Sequence, residues 1–432
     1  MARTPLTATA ARALRGKTVL ITGGTGSFGR AVLERLRAMD LAQIRIFSRD
    51  ELKQELMRVE LSDPKIQFII GDVRSRESVD AAMRGVDYVF HAAALKQVPS
   101  CEFFPMQAVY TNIIGSHNVV ESAIAHGVDR VICLSTDKAV QPVNAMGMTK
   151  ALMEKVALSA ARDPLAGTGR SAGRARRTVV AAVRYGNVMY SRGSVIPLFV
   201  SQLRAGRPLT ITEPGMTRFL LPLSGAIDLI LFAFTHAQPG DIFIRKSPAC
   251  TVADLAQGTA DLLGAPLQVH HIGMRHGEKL YETLASREEL RRAQDMGDYW
   301  RVRMDGRGLE YAKYFTEGDT GEAEIDDYTS HNTDRLDVDG VRRLLLTLPE
   351  MRAELAASPV AAAVPTSAAR APAAGATSSR GGARRKRAGA SAPAQARTAS
   401  PRGVPRATDA TGTSVPARTS AGTVPRRARA RR

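Results

Sequence analysis

Short, unbroken apolar runs recur through the first half of the chain, each closing on glycine or a polar turn. They are "KTVLITGG", "IRIFSRD", "IQFIIGDV", "VDYVFHAAA", "RVICLST" and "TVVAAVRYGNV". Runs of this length without alternation mark strands buried on both faces of a sheet. Between them the period changes to that of a helix. "FGRAVLERLRAM" carries Phe28, Val32, Leu33 and Leu36 on one stripe, and "MQAVYTNIIGSHNVVESAIAHG" repeats the pattern. Strand and helix alternating at this spacing predict an α/β domain over residues 16–190, a doubly wound parallel sheet with helices on both faces.

From about Tyr190 the alternation weakens into shorter pieces such as "PLTITE", "AIDLILFAFTH" and "TVADLAQGTADLL". These predict a smaller mixed α/β lobe over residues 191–357 that closes over the carboxyl edge of the sheet, where ligands sit in open α/β folds. Residues 1–15 lack a central apolar stretch and read as a flexible N-terminus rather than a signal peptide. "GTGRSAGRARRT", Gly167 to Thr178, reads as a flexible basic insert.

Composition changes the picture mainly at the end of the chain. Residues 358–432 are built from Ala, Pro, Ser, Thr, Gly and Arg, cannot bury a core, and read as a disordered tail. That tail holds fifteen Lys and Arg against one Asp, +14 of the formal +18. The pI of about 10.3 therefore does not describe the folded body, and no specific nucleic-acid partner is expected. Cys101, Cys133 and Cys250 lie far apart, and the eight His form no ligand motif. This pattern argues against disulfides and a protein metal site and fits a reducing cytoplasm. No eighteen-residue apolar run offers a membrane span.

The first apolar run ends in "TGGTGSFG", with Gly23, Gly26 and Gly29 spaced G-x-x-G-x-x-G between strand and helix. Small residues let the backbone approach a pyrophosphate, and the helix N-terminus supplies free N–H groups and partial positive charge. A Rossmann dinucleotide site follows, lined by Gly23, Thr25, Gly26, Ser27, Phe28 and Gly29. At the end of the second strand an NAD site needs an acid for the ribose 2′-hydroxyl, whereas a 2′-phosphate needs cations and hydroxyls. Ser48, Arg49 and Lys53 favour NADP; Asp50 as the ribose ligand is the competing reading. Asp72 and Val73 are expected at the adenine edge, with Ala92, Ala93 and Ala94 forming a close-packed turn beneath the cofactor.

The motifs "GGTGSFG", "HAAALKQVP", "STDKAVQPVNAMGMTK", "RYGNVMYSRGSVIPLF", "PLTITEPGMTRFLL" and "HGEKLYETL" occur in that order. Over roughly Gly16 to Met351 the chain resembles the inverting UDP-N-acetylglucosamine 4,6-dehydratases, extended short-chain dehydrogenase-like enzymes of bacterial surface-polysaccharide synthesis. The resemblance implies a hydro-lyase using NADP. C4 of the sugar is oxidised, water leaves across C5 and C6, and the hydride returns to C6. Such enzymes place a Tyr four residues before a Lys; here Met146 precedes Lys150. A thioether transfers no proton at neutral pH. A capsule-type branch of the family looks similar in carrying Met there.

"TDK" then supplies the chemistry. The resemblance implies Asp137 as acid for the departing C6 hydroxyl and Lys138, where retaining relatives carry Glu, as the group handling the C5 proton. Both roles call for a dry site that holds Asp137 protonated and Lys138 partly neutral. The C4 base stays open between Lys138 and Asp137, directly or through Thr136 or a water. Ser135, Tyr185, Asn187 and Lys150 are expected against the cofactor. Arg218 and Arg275 are candidates for a UDP-sugar's diphosphate, with Asn187, Ser194 and Val195 lining the cleft, Lys96 near the sugar, Glu278 at the uridine ribose and Thr210 beside the uracil. Similar enzymes are homo-oligomers, dimers or hexamers. Two other classes remain open: another sugar-nucleotide epimerase or decarboxylase, and a non-catalytic NADP-binding regulator.

Overall fold

The computed structural model describes residues 5–162, 178–304 and 325–357. The basic insert, Thr178 aside, and the tail at 358–432 lie outside these residues. The chain opens with α1 (Pro5–Leu14), followed by β1 (Thr18–Thr22), α2 (Ser27–Arg37), β2 (Gln43–Ser48), α3 (Glu51–Leu61) and β3 (Ile66–Ile70). It continues through α4 (Arg76–Met83), β4 (Tyr88–His91), α5 (Val98–Phe103), α6 (Pro105–Ala108), a π-helical turn (Val109–Ile114) and α7 (Gly115–Ala125). Then come β5 (Arg130–Leu134), a 3₁₀ turn (Asp137–Ala139), α8 (Ala145–Arg162), β6 (Val179–Arg184), α9 (Val195–Arg204), β7 (Leu209–Ile211), β8 (Thr217–Phe219) and α10 (Leu223–His236). The rest is β9 (Ile242–Arg245), β10 (Ala249–Thr251), α11 (Val252–Leu262), β11 (Val269–His271), β12 (Thr283–Ala285), α12 (Arg287–Leu290), β13 (Ala293–Asp295), β14 (Tyr299–Val302), β15 (Tyr328–Thr329), α13 (Val338–Leu346) and α14 (Pro349–Ala356).

The six expected strands, joined by β9, form the parallel part of a nine-stranded sheet ordered β13-β14-β9-β6-β5-β4-β1-β2-β3. Strand order reverses between β1 and β4, which pair directly as Val19 with Tyr88 through Thr22 with His91. Two connections leave this point in opposite directions, and their loops part to make a crevice. Apolar clusters pack on both faces: Val32, Leu33, Leu36 and Phe234 belong to one, Val119, Val120, Met153 and Ala157 to the other. The predicted stripe on α2 is buried at Val32, Leu33 and Leu36.

Two expectations are corrected. Residues 5–14 are not a flexible end: α1 packs on α10 with Ala10 and Leu14 fully buried and Leu6 partly so. Leu6, Ala10 and Leu14 are spaced by four, a narrow helical stripe that a search for a continuous apolar run overlooks. Removing the buried side chain in Leu14→Ala is expected to cost about 2–5 kcal/mol, read as a lower urea midpoint with an unchanged slope.

Residues 191–357, in turn, are not a separate lobe throughout. β9 joins β6 in parallel, and β14 and β13 add antiparallel strands beyond it. The run "IFIR" is buried at Ile242, Phe243 and Ile244 and so extends the main sheet. The lobe proper has its own core of Ile196, Phe199, Leu209, Leu255, Val341 and Met351. Among the described residues no helix is long and apolar enough to cross a membrane.

Candidate active site

A cleft of about 1070 Å³ runs along the carboxyl ends of β1, β2, β4, β5 and β6. Its first wall is the glycine loop. Gly23 has φ +69°, and a Cβ there would lie 2.8 Å from the backbone of Ala93; one at Gly29 would lie 2.7 Å from Gly23 O and Gly24 Cα. Both positions need glycine, which explains the tight turn and its contact with the Ala92–Ala94 segment. Gly26 caps α2 without a side chain, so no hydroxyl or carboxylate competes for its first-turn N–H groups. This cradle fits a pyrophosphate. Phe28 stacks on Tyr185 with ring centroids 5.4 Å apart. Beneath it His91 is buried between Thr22 Oγ1 (2.7 Å) and Ser116 Oγ (2.8 Å), and burial lowers its pKa to about 3. His91 is a neutral strut.

At the second-strand end, Thr25 Oγ1 and Ser48 Oγ share a 2.7 Å hydrogen bond. Asp50 caps α3 by accepting from Lys53 N at 3.0 Å, and its other oxygen pairs with the Lys53 ammonium. Arg49 lies 3.6 Å from Asp72, which Arg74 holds at 2.6 Å. The Asp50 carboxylate is thus committed locally, while Arg49 is half exposed at the cleft.

The sheet's centre carries the ionisable groups. Thr136 ends the β5 extension and opens the 3₁₀ turn; its hydroxyl donates to Asp137 Oδ1 at 2.8 Å. Asp137 is 1% exposed, and its Oδ2 has no hydrogen-bond partner among the described residues. Lys138 Nζ lies 3.2 Å from Asp137 Oδ1 and 3.0 Å from Glu282 Oε1. Burial holds the Asp137 carboxyl above its ordinary range against the pull of Lys138, with Glu282 adding to the rise. That direction is the one an acid requires.

For Lys138 the expectation of partial neutrality is overturned. Burial alone would lower its pKa, but Asp137 and Glu282 outweigh it and hold the amine above its ordinary value. Burial also lowers the pKa of cleft amines, Lys96 among them, and most of all that of Lys150, brought to about 8, whose Nζ donates to Leu134 O at 2.6 Å. Met146, one turn before it, is 4% exposed and packs with Cys101 and Ala108 while also lining the cleft. With no proton to exchange, it acts by shape. Met146→Leu is expected to cost under about 1.5 kcal/mol and to leave kcat within about threefold, checked by melting and steady-state rates.

The cleft brings together all the residues expected to bind the dinucleotide or carry the chemistry: Gly23, Thr25–Gly29, Ser48, Arg49, Lys53, Asp72, Val73, Ala92–Ala94, Ser135–Lys138, Met146, Lys150, Tyr185 and Asn187. Of the substrate candidates only Lys96 and Asn187 line it. Ser194 and Val195 open α9, where Ser194 makes no side-chain cap. Thr210 on β7 accepts from Gln202 Nε2 at 3.0 Å, and Arg275 and Glu278 pair with each other at 3.8 Å in an exposed loop. Arg218 points its Nη1 to Thr217 O (2.7 Å), with its Nε 3.9 Å from Glu282.

Sequence reasoning missed Glu282. It is 2% exposed, the acidic residue of "YETL" just before β12, and a carboxylate entering an apolar strand was the available signal. Among the described residues no group of three or more His, Cys, Asp or Glu is placed to hold a metal ion.

A parallel sheet with its switch point at β1/β4, a glycine cradle and a Thr-Asp-Lys turn define a short-chain dehydrogenase/reductase of the sugar-nucleotide epimerase and dehydratase type. The chain belongs to the polysaccharide biosynthesis protein family: that family's model matches residues 19–304, and the model of its C-terminal region matches residues 305–352. A relative from Rickettsia canadensis named UDP-glucose 4-epimerase is 57% identical over 343 residues, 78% of this chain and 98% of the relative. The X-ray structure of Pen from Bacillus thuringiensis matches with a TM-score of 0.67 and 34% identity, covering 77% of this chain and 99% of that one. DesIV, a dTDP-glucose 4,6-dehydratase from Streptomyces venezuelae solved with NAD and TYD bound, shares the fold at a TM-score of 0.55 and 19% identity over 77% of this chain and 99% of that one.

Proposed function

We propose that this enzyme is an NADP-dependent UDP-N-acetylglucosamine 4,6-dehydratase that inverts C5 and serves surface-polysaccharide synthesis in the cytoplasm. One observation carries the reading: a buried carboxyl, whose pKa burial raises, lies 3.2 Å from an amine whose pKa is also raised, at the sheet edge. Epimerisation at C4 needs a single proton acceptor at the C4 hydroxyl. Elimination of water needs in addition an acid at C6 and a group that exchanges the C5 proton. Asp137 and Lys138 supply these two.

When bound, the nicotinamide supplies the hydride acceptor and donor. Gly23, Gly26 and Gly29 would hold its pyrophosphate, and Phe28 and Tyr185 would wall the cleft. Asp137 gives its proton to the leaving C6 hydroxyl. Lys138 handles the C5 proton: the resting ammonium must first release a proton to solvent, the neutral amine then takes the C5 proton, and the ammonium so formed returns one to C5; its raised proton affinity strengthens the abstraction half of that exchange. Lys150, the cleft amine nearest neutrality, is the group best suited to take the C4 proton. Arg49 and Lys53 are assigned to the 2′-phosphate because Asp50 is committed to capping α3. Arg49→Ala is expected to weaken NADP binding about 10-fold or more while changing NAD binding little, as measured by calorimetry. Tyr110 and Ile114 on the π-helical turn and Met148 and Leu152 on α8 are exposed large apolar side chains, and they support a homo-oligomer.

The relatives' name favours a second reading, epimerisation at C4. NMR of the nucleotide sugar after incubation with UDP-N-acetylglucosamine and NADP separates the two. A 4-keto-6-deoxy product supports dehydration; a C4 epimer that keeps its C6 hydroxyl refutes it.

A further inference from the structure

Three ionisable groups crowd the reacting edge, and the fold treats the two carboxyls differently. Asp137 belongs to the 3₁₀ turn and accepts from Thr136; each carboxyl keeps one oxygen, Asp137 Oδ2 and Glu282 Oε2, without a hydrogen-bond partner among the described residues. Glu282 comes from the segment before β12, which packs on that turn. Its backbone is pinned on both sides by Ser330: Glu282 N donates to Ser330 Oγ at 3.0 Å, and Ser330 N donates to Glu282 O at 2.8 Å. Ser330 Oγ in turn sits 2.8 Å from Thr217 Oγ1 on β8. The Glu282 carboxylate therefore has a fixed origin, and it faces two cations, Lys138 at 3.0 Å and Arg218 at 3.9 Å. Among the described residues Asp137 has Lys138 alone within ion-pair distance, and Lys279 acts on both carboxyls from farther off.

We propose that Glu282 is the positioning residue of this cluster: it carries the negative charge that anchors Lys138 and thereby leaves the transferable proton on Asp137. The inference rests on the dehydratase reading for its catalytic meaning. Two ionised carboxylates sharing one ammonium in a dry site repel each other, so one of them keeps its proton. The second cation decides which. Burial pushes the Glu282 carboxyl up, but Lys138 and Arg218 outweigh it and bring it below its ordinary value. The other titratable groups facing the cluster are Tyr185 at the end of β6, which stays a neutral phenol, and Lys279 beside Glu282, whose Nζ donates to Val140 O at 2.7 Å. Neither supplies a competing anion.

Glu282→Gln in the full chain tests this. It keeps shape and removes charge, so Lys138 is left with Asp137 as its only carboxylate. Carbon-13 NMR of protein labelled at aspartate Cγ, with the Asp137 signal assigned from the Asp137→Asn spectrum, reads the consequence without substrate. The proposal expects a neutral Asp137 near pH 7 in the parent and an ionised one in the variant, its midpoint lower by about one pH unit or more. With UDP-N-acetylglucosamine, kcat near neutral pH falls about tenfold or more with KM within about twofold, and the alkaline limb of the kcat profile moves to lower pH. Glu282→Asp, with a shorter reach from the same pinned backbone, moves both readouts in the same direction by less, and it serves if the glutamine variant does not fold. A variant that only melts earlier, with the Asp137 midpoint and the pH limb unmoved, overturns the proposal. If the parent proves to be an epimerase while the midpoint still shifts, the dehydratase reading fails and the charge assignment stands.

Discussion

On the proposed reading, Lys138→Ala is expected to lower turnover of UDP-N-acetylglucosamine by about 10²–10⁴-fold or more while NADP binding is retained. The side chain touches the two carboxylates that flank the reacting edge and reaches nothing in the glycine cradle. Its loss removes the group at C5 and leaves Asp137 and Glu282 facing each other without their shared cation. Removing one partner of a buried ion pair costs about 3–5 kcal/mol, and protonation of the second carboxyl offsets part of that. The variant is therefore expected to be less stable and more sensitive to alkaline pH, yet folded. Calorimetric titration with NADP and product NMR check the two halves together. Activity within about threefold of the parent would remove Lys138 from the chemistry.

Asp137→Asn is expected to lose dehydration by about 10²–10⁴-fold and to gain stability relative to the parent as pH rises. The sign follows from the raised carboxyl. A folded state that binds its proton more tightly than the unfolded chain is most favoured below the ordinary carboxyl pKa of about 4 and loses that advantage as pH climbs toward the folded-state value. Asparagine carries no such dependence and keeps an oxygen for Lys138. The melting temperature of Asp137→Asn minus that of the parent should therefore grow between about pH 4 and pH 7. A difference that shrinks over that range would mean that Asp137 is ionised in the resting enzyme.

The fold was legible where the hydrophobic pattern is local. β1, β4, β5 and β6 are buried strands because nothing polar interrupts their runs, whereas edge strand β3 leaves Gln67 and Ile70 exposed, and "TGGTGSFG" shows its turn because Gly23 and Gly29 admit no Cβ. α1 was missed because its stripe is only Leu6, Ala10 and Leu14 among small and polar neighbours, three of them alanine. The lobe boundary was misplaced because Ile242–Arg245 rejoins the main sheet after a long excursion, and pairing over such separation leaves no local mark.

At the site, "TDK" announced an acid and an amine, but their charge states are tertiary facts. Lys138 is held above its ordinary pKa by Asp137 and by Glu282, and Glu282 lies far along the chain and reaches it only through the packing of β12 on the 3₁₀ turn. Met146 was legible as an absence of chemistry, and its packing with Cys101 and Ala108 gives the reason that the position tolerates a thioether. Arg275 and Glu278 looked like ligands because of their motif; in the structure they satisfy each other outside the cleft.

The most direct test of the proton path is the reaction run in D2O with UDP-N-acetylglucosamine, followed by NMR at C5 and C6 of the product. Transfer through Asp137 and Lys138 predicts a C6 methyl group bearing the hydride from C4, one deuterium at C5, and inverted configuration there. A product with its C6 hydroxyl intact, C5 fully protonated and only C4 inverted would contradict it.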